Sequence, residues 1–298
     1  MLSIDVGFGN VKICDGETFN AFPAVYYECK GNYKHDESDP NDLLMELDGV
    51  KYHIGQTAIN NDGVSVMNRG DMFRHKLFIL SAICVATEGD FEDEVLLGLP
   101  ISDFEAVEAD LKKLKGEYDV VFNDKKRHIK ITKVRVFYQG KAVYEVVKDE
   151  NPNLKDEQVA IIDVGQKTVD FAWFKFGSYV PAKSGSMVDL GCYSAYTDIC
   201  DMLNNAFGLD LKFYDAPHYS KRLPKEQVEK VYERMASDII KGLTNKGWGG
   251  FELLDHVYVI GGGADFIAKY LPRQEVVEVM EDPAYANAWG YFKGAEKK

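Results

Sequence analysis

Apolar residues along the chain fall into short runs bounded by Gly, Asp and Asn, and into longer stretches with helical spacing. The runs 159–164 and 257–260 are typical of buried strands, and the alternation in 168–176 indicates a strand with one buried face. The stretches 71–87 and 225–246 carry an apolar residue every three or four positions, which predicts helices. Strands and helices alternate throughout, so we expect the α/β class.

The same patterns predict the remaining elements. They give strands at 94–99, 118–123, 128–137 and 179–183, a hairpin at 44–55 that turns at Asp48 and Gly49, and helices at 102–115, 141–148, 191–206, 264–271 and 284–295. The linker-like Asn151-Pro152-Asn153 divides the chain into domains 1–150 and 151–298. Residues 21–70 are expected to form a small subdomain of the first domain. The last helix, 284–295, could pack back on the first domain.

An internal repeat is the most informative feature of the sequence. Residues 4–12 read IDVGFGNVK and residues 162–170 read IDVGQKTVD, so that five of nine positions agree at an offset of 158 residues. This offset is close to half the chain. We therefore expect two related domains, each opening with the same strand, turn and strand.

Each copy of the repeat places an Asp at a strand end and a Gly two positions later. Glycine turns leave backbone N–H groups uncovered, and such groups form nests for phosphate. Carboxylates beside phosphate require a divalent cation between them, for which Mg²⁺ is suited because it takes one or two carboxylates plus phosphate. For one copy alone an ordinary hairpin turn is the favoured explanation, but two copies half a chain apart favour phosphate binding.

A third glycine element lies near the end of the chain. The apolar run 257–260 is followed by Gly261, Gly262 and Gly263 and then by a helical stretch. A strand, a glycine turn and a helix N-terminus let a ring or a phosphate approach the backbone closely.

Length, charge and cysteine content narrow the function classes. The 298 residues suit two domains of about 150 residues each. The net charge of −13 argues against direct binding of nucleic acid, which needs Lys and Arg against phosphates, although a basic adaptor could still connect the chain to DNA. Five scattered cysteines indicate reduced thiols. There is no long apolar run or signal peptide, so we expect a cytoplasmic protein without membrane binding.

Together, the two D-x-G motifs and the late G-G-G resemble the actin-like ATPase superfamily, which includes actin, heat-shock chaperones and sugar kinases. The chain is too short for such a chaperone and shorter than most sugar kinases. It is most similar to the ParM-type plasmid-segregation actins and to archaeal and bacterial actin-like proteins. The resemblance implies two duplicated mixed-sheet domains around a nucleotide cleft, with ATP or GTP and Mg²⁺ as cofactors.

The resemblance also implies roles for individual residues. Asp5 and Asp163 would hold Mg²⁺ through water, and Gln139 would position the attacking water. The nucleotide would be bound by Gly7, Gly9, Asn10, Lys12, Gly165, Gln166, Lys167, Thr168, Asp170, Gly191, Glu229, Gly261, Gly262 and Gly263. Three of these have a plain alternative: Lys12 as a surface lysine, Asp170 as a structural hydrogen-bonding group, and Glu229 as part of a solvated helix face.

The implied function is a nucleotide hydrolase that polymerises into filaments and moves plasmid DNA through a basic DNA-binding adaptor. Its partners would be other copies of itself and that adaptor. Two alternatives stay open: a small-molecule kinase of the same superfamily, and a cell-shape or cell-division scaffold.

Overall fold

The computed structural model describes residues 1–31, 33–65 and 70–297. The chain forms two compact units, one made of Met1–Val146 together with the segment that begins at Asn287, the other of Val147–Ala286. The segment 21–70, expected as a small subdomain, is described except at residues 32 and 66–69.

The first unit is a ten-stranded mixed sheet with helices. Its strands are β1 Leu2–Val6, β2 Asn10–Cys14, β3 Phe19–Pro23, β4 Val25–Glu28, β5 Leu43–Leu47, β6 Val50–Ile54, β7 Val64–Ser65, β8 Phe91–Leu99, β9 Gly116–Phe122 and β10 Lys125–Tyr138. Its helices are α1 Gln56–Asn60, α2 Met72–Ala86, α3 Phe104–Lys112 and α4 Lys141–Glu150, the last of which continues into the second unit. The strand order is β3-β2-β1-β8-β10-β9-β5-β6-β4-β7.

Segment 21–70 extends this sheet. Strand β5 pairs with β9 through Met45 and Glu46, so that β4 to β7 continue the same sheet. The predicted turn at Asp48 and Gly49 is confirmed, because both residues have positive φ (53° and 80°), as a two-residue hairpin of this twist requires. The inward-facing apolar residues of the segment join the main core of the unit.

The second unit is a six-stranded sheet with helices. Its strands are β11 Gln158–Val164, β12 Thr168–Lys175, β13 Ser178–Tyr179, β14 Gly185–Val188, β15 His256–Ile260 and β16 Val277–Val279. Its helices are α5 Cys192–Phe207, α6 Ala216–Tyr219, α7 Lys225–Asn245 and α8 Ala264–Ile267, joined by short 3₁₀ turns. The order is β13-β12-β11-β15-β16, with β14 also paired to β12. The α/β class is confirmed.

The sequence repeat corresponds to a repeat in structure. In the first unit β1 pairs antiparallel with β2 and parallel with β8; in the second, β11 pairs in the same ways with β12 and β15. Asp5 lies opposite Lys12 in one hairpin, and Asp163 lies opposite Asp170 in the other. The three central strands therefore have the same pairing arrangement in both units.

Two predicted elements differ from the structure. The strand predicted at 179–183 ends at Tyr179, and a 3₁₀ turn follows at Pro181–Lys183 because proline lacks the N–H that a strand ladder needs. The helix predicted at 264–271 is α-helical only to Ile267 and then continues as a 3₁₀ turn at Ala268–Tyr270, just before Pro272.

The last helix, α9 Ala286–Glu296, packs within the first unit from Asn287 onward. The hydroxyl of Ser3 on β1 donates to the Ala288 carbonyl at 2.6 Å. The Gly140 N–H donates to Asn287 Oδ1 at 3.1 Å. The side chain of Tyr291 is fully buried in a cluster around this helix.

We expect Gly98→Ala to destabilise the first unit, because a Cβ at Gly98 would lie 2.0 Å from the Tyr291 ring. Overpacking of this kind costs about 1–3 kcal/mol of unfolding free energy, measurable by urea denaturation. Gly116→Ala is the matched control, since a Cβ there has its nearest neighbours at 3.7 Å. Equal stability of the two variants would contradict this packing of α9.

Candidate nucleotide-binding site

In the first unit the candidate site is built around Asp5, whose side chain is held through both oxygens. Asp5 is 2% exposed near the end of β1. Lys12 Nζ lies 3.1 Å from Asp5 Oδ2, and Gln139 Nε2 donates to Asp5 Oδ1 at 3.0 Å. A cation and an amide therefore fix a buried carboxylate in one orientation and offset the cost of its desolvation.

The turn between β1 and β2 is tight, which explains its first glycine. The Gly7 N–H donates to the Asn10 carbonyl at 3.1 Å. A Cβ at Gly7 would lie 2.8 Å from that same oxygen, so a side chain would open the turn. The Gly9 carbonyl accepts from the Ala24 N–H at 2.9 Å, which ties the turn to the segment before β4.

Gln139 is positioned by backbone contacts on both sides. It is 6% exposed and follows β10, and its N–H donates to the Leu99 carbonyl at 2.9 Å. The next residue, Gly140, has φ +69° and donates to Asn287 of α9. The structure thus brings Asp5, Lys12 and Gln139 together, although Gln139 is remote from the other two in sequence.

In the second unit the corresponding carboxylate is Asp163, 7% exposed on β11. Its cross-strand neighbour is Asp170, whose Oδ2 accepts from the Thr168 hydroxyl at 2.9 Å. Directly opposed residues of an antiparallel pair share a face, and like charges there are unfavourable. Where the first hairpin places a lysine opposite its aspartate, the second places another carboxylate.

The second turn is attached to the N-terminus of α5. The Cys192 N–H donates to the Gly165 carbonyl at 3.0 Å, the Tyr193 N–H to the Gln166 carbonyl at 2.7 Å, and the Gly191 N–H to the Lys167 carbonyl at 3.3 Å. These bonds satisfy N–H groups that a helix start leaves without intrahelical partners.

Gly191 is required at this junction. A Cβ there would lie 2.5 Å from the Gln166 carbonyl oxygen and 2.6 Å from that of Gly165. Only a residue without a side chain lets the turn approach the helix start this closely.

The three glycines after β15 have different surroundings. Gly261 has φ +86°, and a Cβ there would lie 2.4 Å from Asp163 Oδ1. A Cβ at Gly263 would lie 2.5 Å from both Cys192 Sγ and Val164 Cγ1. Gly262 faces open space. Packing against β11 and α5 therefore accounts for two of the three glycines, and Gly262 is the one with room beside it for a ligand.

Glu229 on α7 lies in an ion pair. Its Oε1 is 3.1 Å from Lys269 Nζ, and this hydrogen bond lowers the pKa of the Glu229 carboxyl. The neighbouring Tyr232 stacks on Phe266 with ring centroids 4.5 Å apart, and burial raises its pKa to about 12. Glu229 thus lies in an ion pair at a partly exposed position of α7, and its role toward nucleotide stays a prediction.

The carboxylate oxygens near the two turns suit a hard cation such as Mg²⁺ that is held mainly by waters and by a bound phosphate. Within residues 1–31, 33–65 and 70–297, no three or more His, Cys, Asp or Glu side chains gather into a metal-holding group. Mg²⁺ does not need such a cage, because it binds through one or two carboxylates, waters and substrate phosphates. In the first unit Asp5 supplies carboxylate oxygens of this kind, and in the second unit Asp163 does, with Asp170 opposite it.

Two side chains outside the sequence motifs also contact the first-unit site. Arg74 on α2 donates through Nη2 to the Gly7 carbonyl, and Asn287 on α9 holds Gly140. Neither lies in a recognisable pattern. Arg74 is one of three polar residues, with His75 and Ser81, among the mostly apolar buried residues of α2, and this is the signal that the sequence carries for it.

Comparison with known proteins decides the family. The model for the N-terminal domain of actin-like proteins matches residues 3–141, and the model for the C-terminal domain of archaeal MreB-like actin homologues matches residues 161–273. The chain belongs to the actin-like superfamily. No curated protein sequence matches this actin-like chain significantly.

Solved structures share the fold over the whole actin-like chain. A non-polymerisable quadruple mutant of pCBH ParM has a TM-score of 0.84 at 19% identity, covering 100% of this chain and 99% of that one. A crystal structure of an archaeal actin homologue has a TM-score of 0.83 at 18% identity, with the same coverage. A 15-stranded ParM filament from Clostridium botulinum has a TM-score of 0.83 at 18% identity, also covering 100% and 99%. The expected two-domain actin-like fold is confirmed.

In the part of the chain that the structure describes, no helix has the length and apolar character that crossing a membrane requires.

Proposed function

We propose that this actin-like chain binds a purine nucleoside triphosphate, ATP or GTP, with Mg²⁺, hydrolyses it, and assembles into filaments in its triphosphate-bound form. The observation that carries the proposal is the arrangement at Asp5, a buried carboxylate fixed by Lys12 and Gln139 at the glycine turn of a duplicated hairpin. The archaeal actin homologue also exists as a complex with ADP, which supports nucleotide binding.

In this proposal the residues act by positioning and by balancing charge. Bound Mg²⁺ would neutralise phosphate charge as the terminal phosphoryl group leaves. Asp5 in the first unit and Asp163 in the second would each hold water bound to Mg²⁺, and the N–H groups of each turn would bind phosphate oxygens. Gln139 orients the attacking water with its amide, as a glutamine does in other nucleotide hydrolases.

Lys12 has two tasks in this scheme. Its ammonium group pairs with Asp5, and its side chain is 18% exposed, so that it can exchange this contact for a phosphate oxygen. Hydrolysis removes the terminal phosphate and, with it, this contact. A nucleotide shifts a conformational equilibrium only by binding one conformation more tightly than the other, and the lost contact changes that difference in affinity.

The proposals of filament assembly and of a plasmid DNA cargo rest on the structural similarity to ParM and on the net charge of the chain. ParM assembles into filaments in the structure from Clostridium botulinum, and we extend self-assembly to this chain. With a net charge of −13 its surface disfavours direct contact with DNA, so we propose that a basic adaptor links it to plasmid DNA.

Light scattering of the purified chain tests the proposal. We expect a rise above a critical protein concentration with ATP or GTP and Mg²⁺, none without nucleotide, and loss of the rise in EDTA. Electron microscopy of the same samples should show filaments. Flat scattering with both nucleotides across salt concentrations would contradict filament formation. Nucleotide consumption that requires an added small-molecule acceptor, without filaments, would favour a kinase instead.

A further inference from the structure

The peptide group between Gly7 and Phe8 is held by a buried arginine. Arg74, in the first turn of α2, has no solvent exposure and donates through Nη2 to the Gly7 carbonyl. Its guanidinium carbon lies 5.7 Å from the centre of the Phe8 ring and 5.4 Å from that of Phe78. The Asp71 side chain accepts from the Arg74 N–H at 3.0 Å and caps the helix at this point.

This contact sets the direction of the next N–H group. In a planar trans peptide the carbonyl and the N–H point in opposite directions. Because the Gly7 carbonyl points at Arg74, the Phe8 N–H points to the opposite side of the turn. The positive charge of the guanidinium lies behind the same peptide group, which raises the electrostatic potential on the N–H side.

The second repeat fixes the equivalent peptide by other means. Gly165 stands 158 residues after Gly7, and its carbonyl accepts from the Cys192 N–H at 3.0 Å at the start of α5. A helix N-terminus carries a partial positive charge. In both turns, therefore, the same carbonyl faces a positive group and the following N–H, of Phe8 or of Gln166, points away from it. The two positive groups are unrelated in sequence.

We propose that Arg74 is a positioning residue for phosphate binding by the first turn, doing with a side chain what the α5 N-terminus does for the second turn. This inference rests on the proposed nucleotide function. In this proposal Arg74 acts through the Gly7–Phe8 peptide, whose orientation and positive surroundings favour an anion.

The test is the affinity of the full chain for MgATP, measured by titration calorimetry. Arg74→Met keeps an unbranched side chain but removes the charge and the donors, and we expect at least about tenfold weaker binding. Arg74→Lys keeps the charge without the planar, multiple-donor geometry, so binding should be intermediate. Amide hydrogen exchange in the turn at residues 7–9 should be faster in Arg74→Met.

Arg127→Met is the matched control. Arg127 on β10 is 9% exposed and donates to the Cys84 carbonyl at 3.5 Å and the Thr87 hydroxyl at 3.0 Å. These acceptors lie at the C-terminal end of α2, about 15–20 Å along the helix axis from Arg74. The control should lose thermal stability and bind MgATP as the wild type does.

The outcomes separate the two proposals. The role of Arg74 is overturned if the Arg74→Met variant binds MgATP as the wild type does. It is also overturned if the amides of the turn exchange at the wild-type rate in that variant. If both arginine variants lose stability and affinity in parallel, the role is merely structural and the inference fails. If Arg74→Met does not fold, Arg74→Lys decides by the same readouts. A wild-type chain that binds no nucleotide overturns the proposed function, whereas the exchange comparison still tests Arg74.

Discussion

Asp163→Asn should lower the proposed nucleotide hydrolysis by at least about 100-fold while leaving the fold intact. The carboxylate is 7% exposed, and the substitution changes its charge while keeping its shape. A preorganised charged group of an active site contributes roughly 100- to 1,000-fold to turnover. Phosphate release by the purified variant, at saturating nucleotide and Mg²⁺, measures the effect.

Stability should change little in this variant. Asparagine keeps the size and shape of the aspartate side chain, so the melting temperature should stay close to that of the wild type. The control is Asp255→Asn, at the other end of β11, where the carboxylate accepts from the Gln158 N–H at 2.8 Å. It carries the same charge change and should hydrolyse normally. Wild-type turnover in Asp163→Asn would remove Asp163 from the mechanism.

Gly261→Ala should be the most destabilising single-methyl change in the second unit's site. Its φ of +86° is unfavourable for any residue with a Cβ, and the new methyl would lie 2.4 Å from Asp163 Oδ1 and 2.5 Å from the Val164 carbonyl oxygen. The conformational cost and the overpacking together should lower the free energy of unfolding by about 2–5 kcal/mol. Chemical denaturation followed by circular dichroism measures this loss.

Gly262→Ala is the informative comparison, since a Cβ at that position meets nothing within 4 Å. Its stability should match that of the wild type. Any loss of nucleotide affinity in this variant then reports contact with the ligand, separate from folding. Equal destabilisation of the two variants would show that the packing described around Gly261 is wrong.

The parts of the fold predicted from sequence are those determined locally. The hairpins of the repeat, the Asp48–Gly49 turn and the helices at 71–87 and 225–246 depend on alternation, glycine and helical spacing, and the structure confirms them. The two central carboxylates, Asp5 and Asp163, could be singled out because the same short motif occurs twice.

The parts that sequence did not predict depend on contacts between distant residues. Arg74 reaches a turn 67 positions away, and Asn287 reaches Gly140 across 147 positions. Neither contact leaves a periodic trace in the chain. The glycine triplet is visible in the sequence. Only the positions of Asp163 and Cys192 in the structure show that two of its glycines are needed for packing and that the third lies in open space. The roles of the site residues themselves remain predictions.

The return of α9 to the first unit also sets an order of events on the ribosome. Residues 147–286 are contiguous and can complete their sheet as soon as they emerge, whereas the first unit waits for the helix that holds Ser3 and Gly140. Asn287 follows Gly140 by 147 residues, which take roughly 7–30 s to synthesise at about 5–20 residues per second. For that interval the surface that α9 covers in the folded chain stays exposed in the nascent chain, and a chaperone can bind to it.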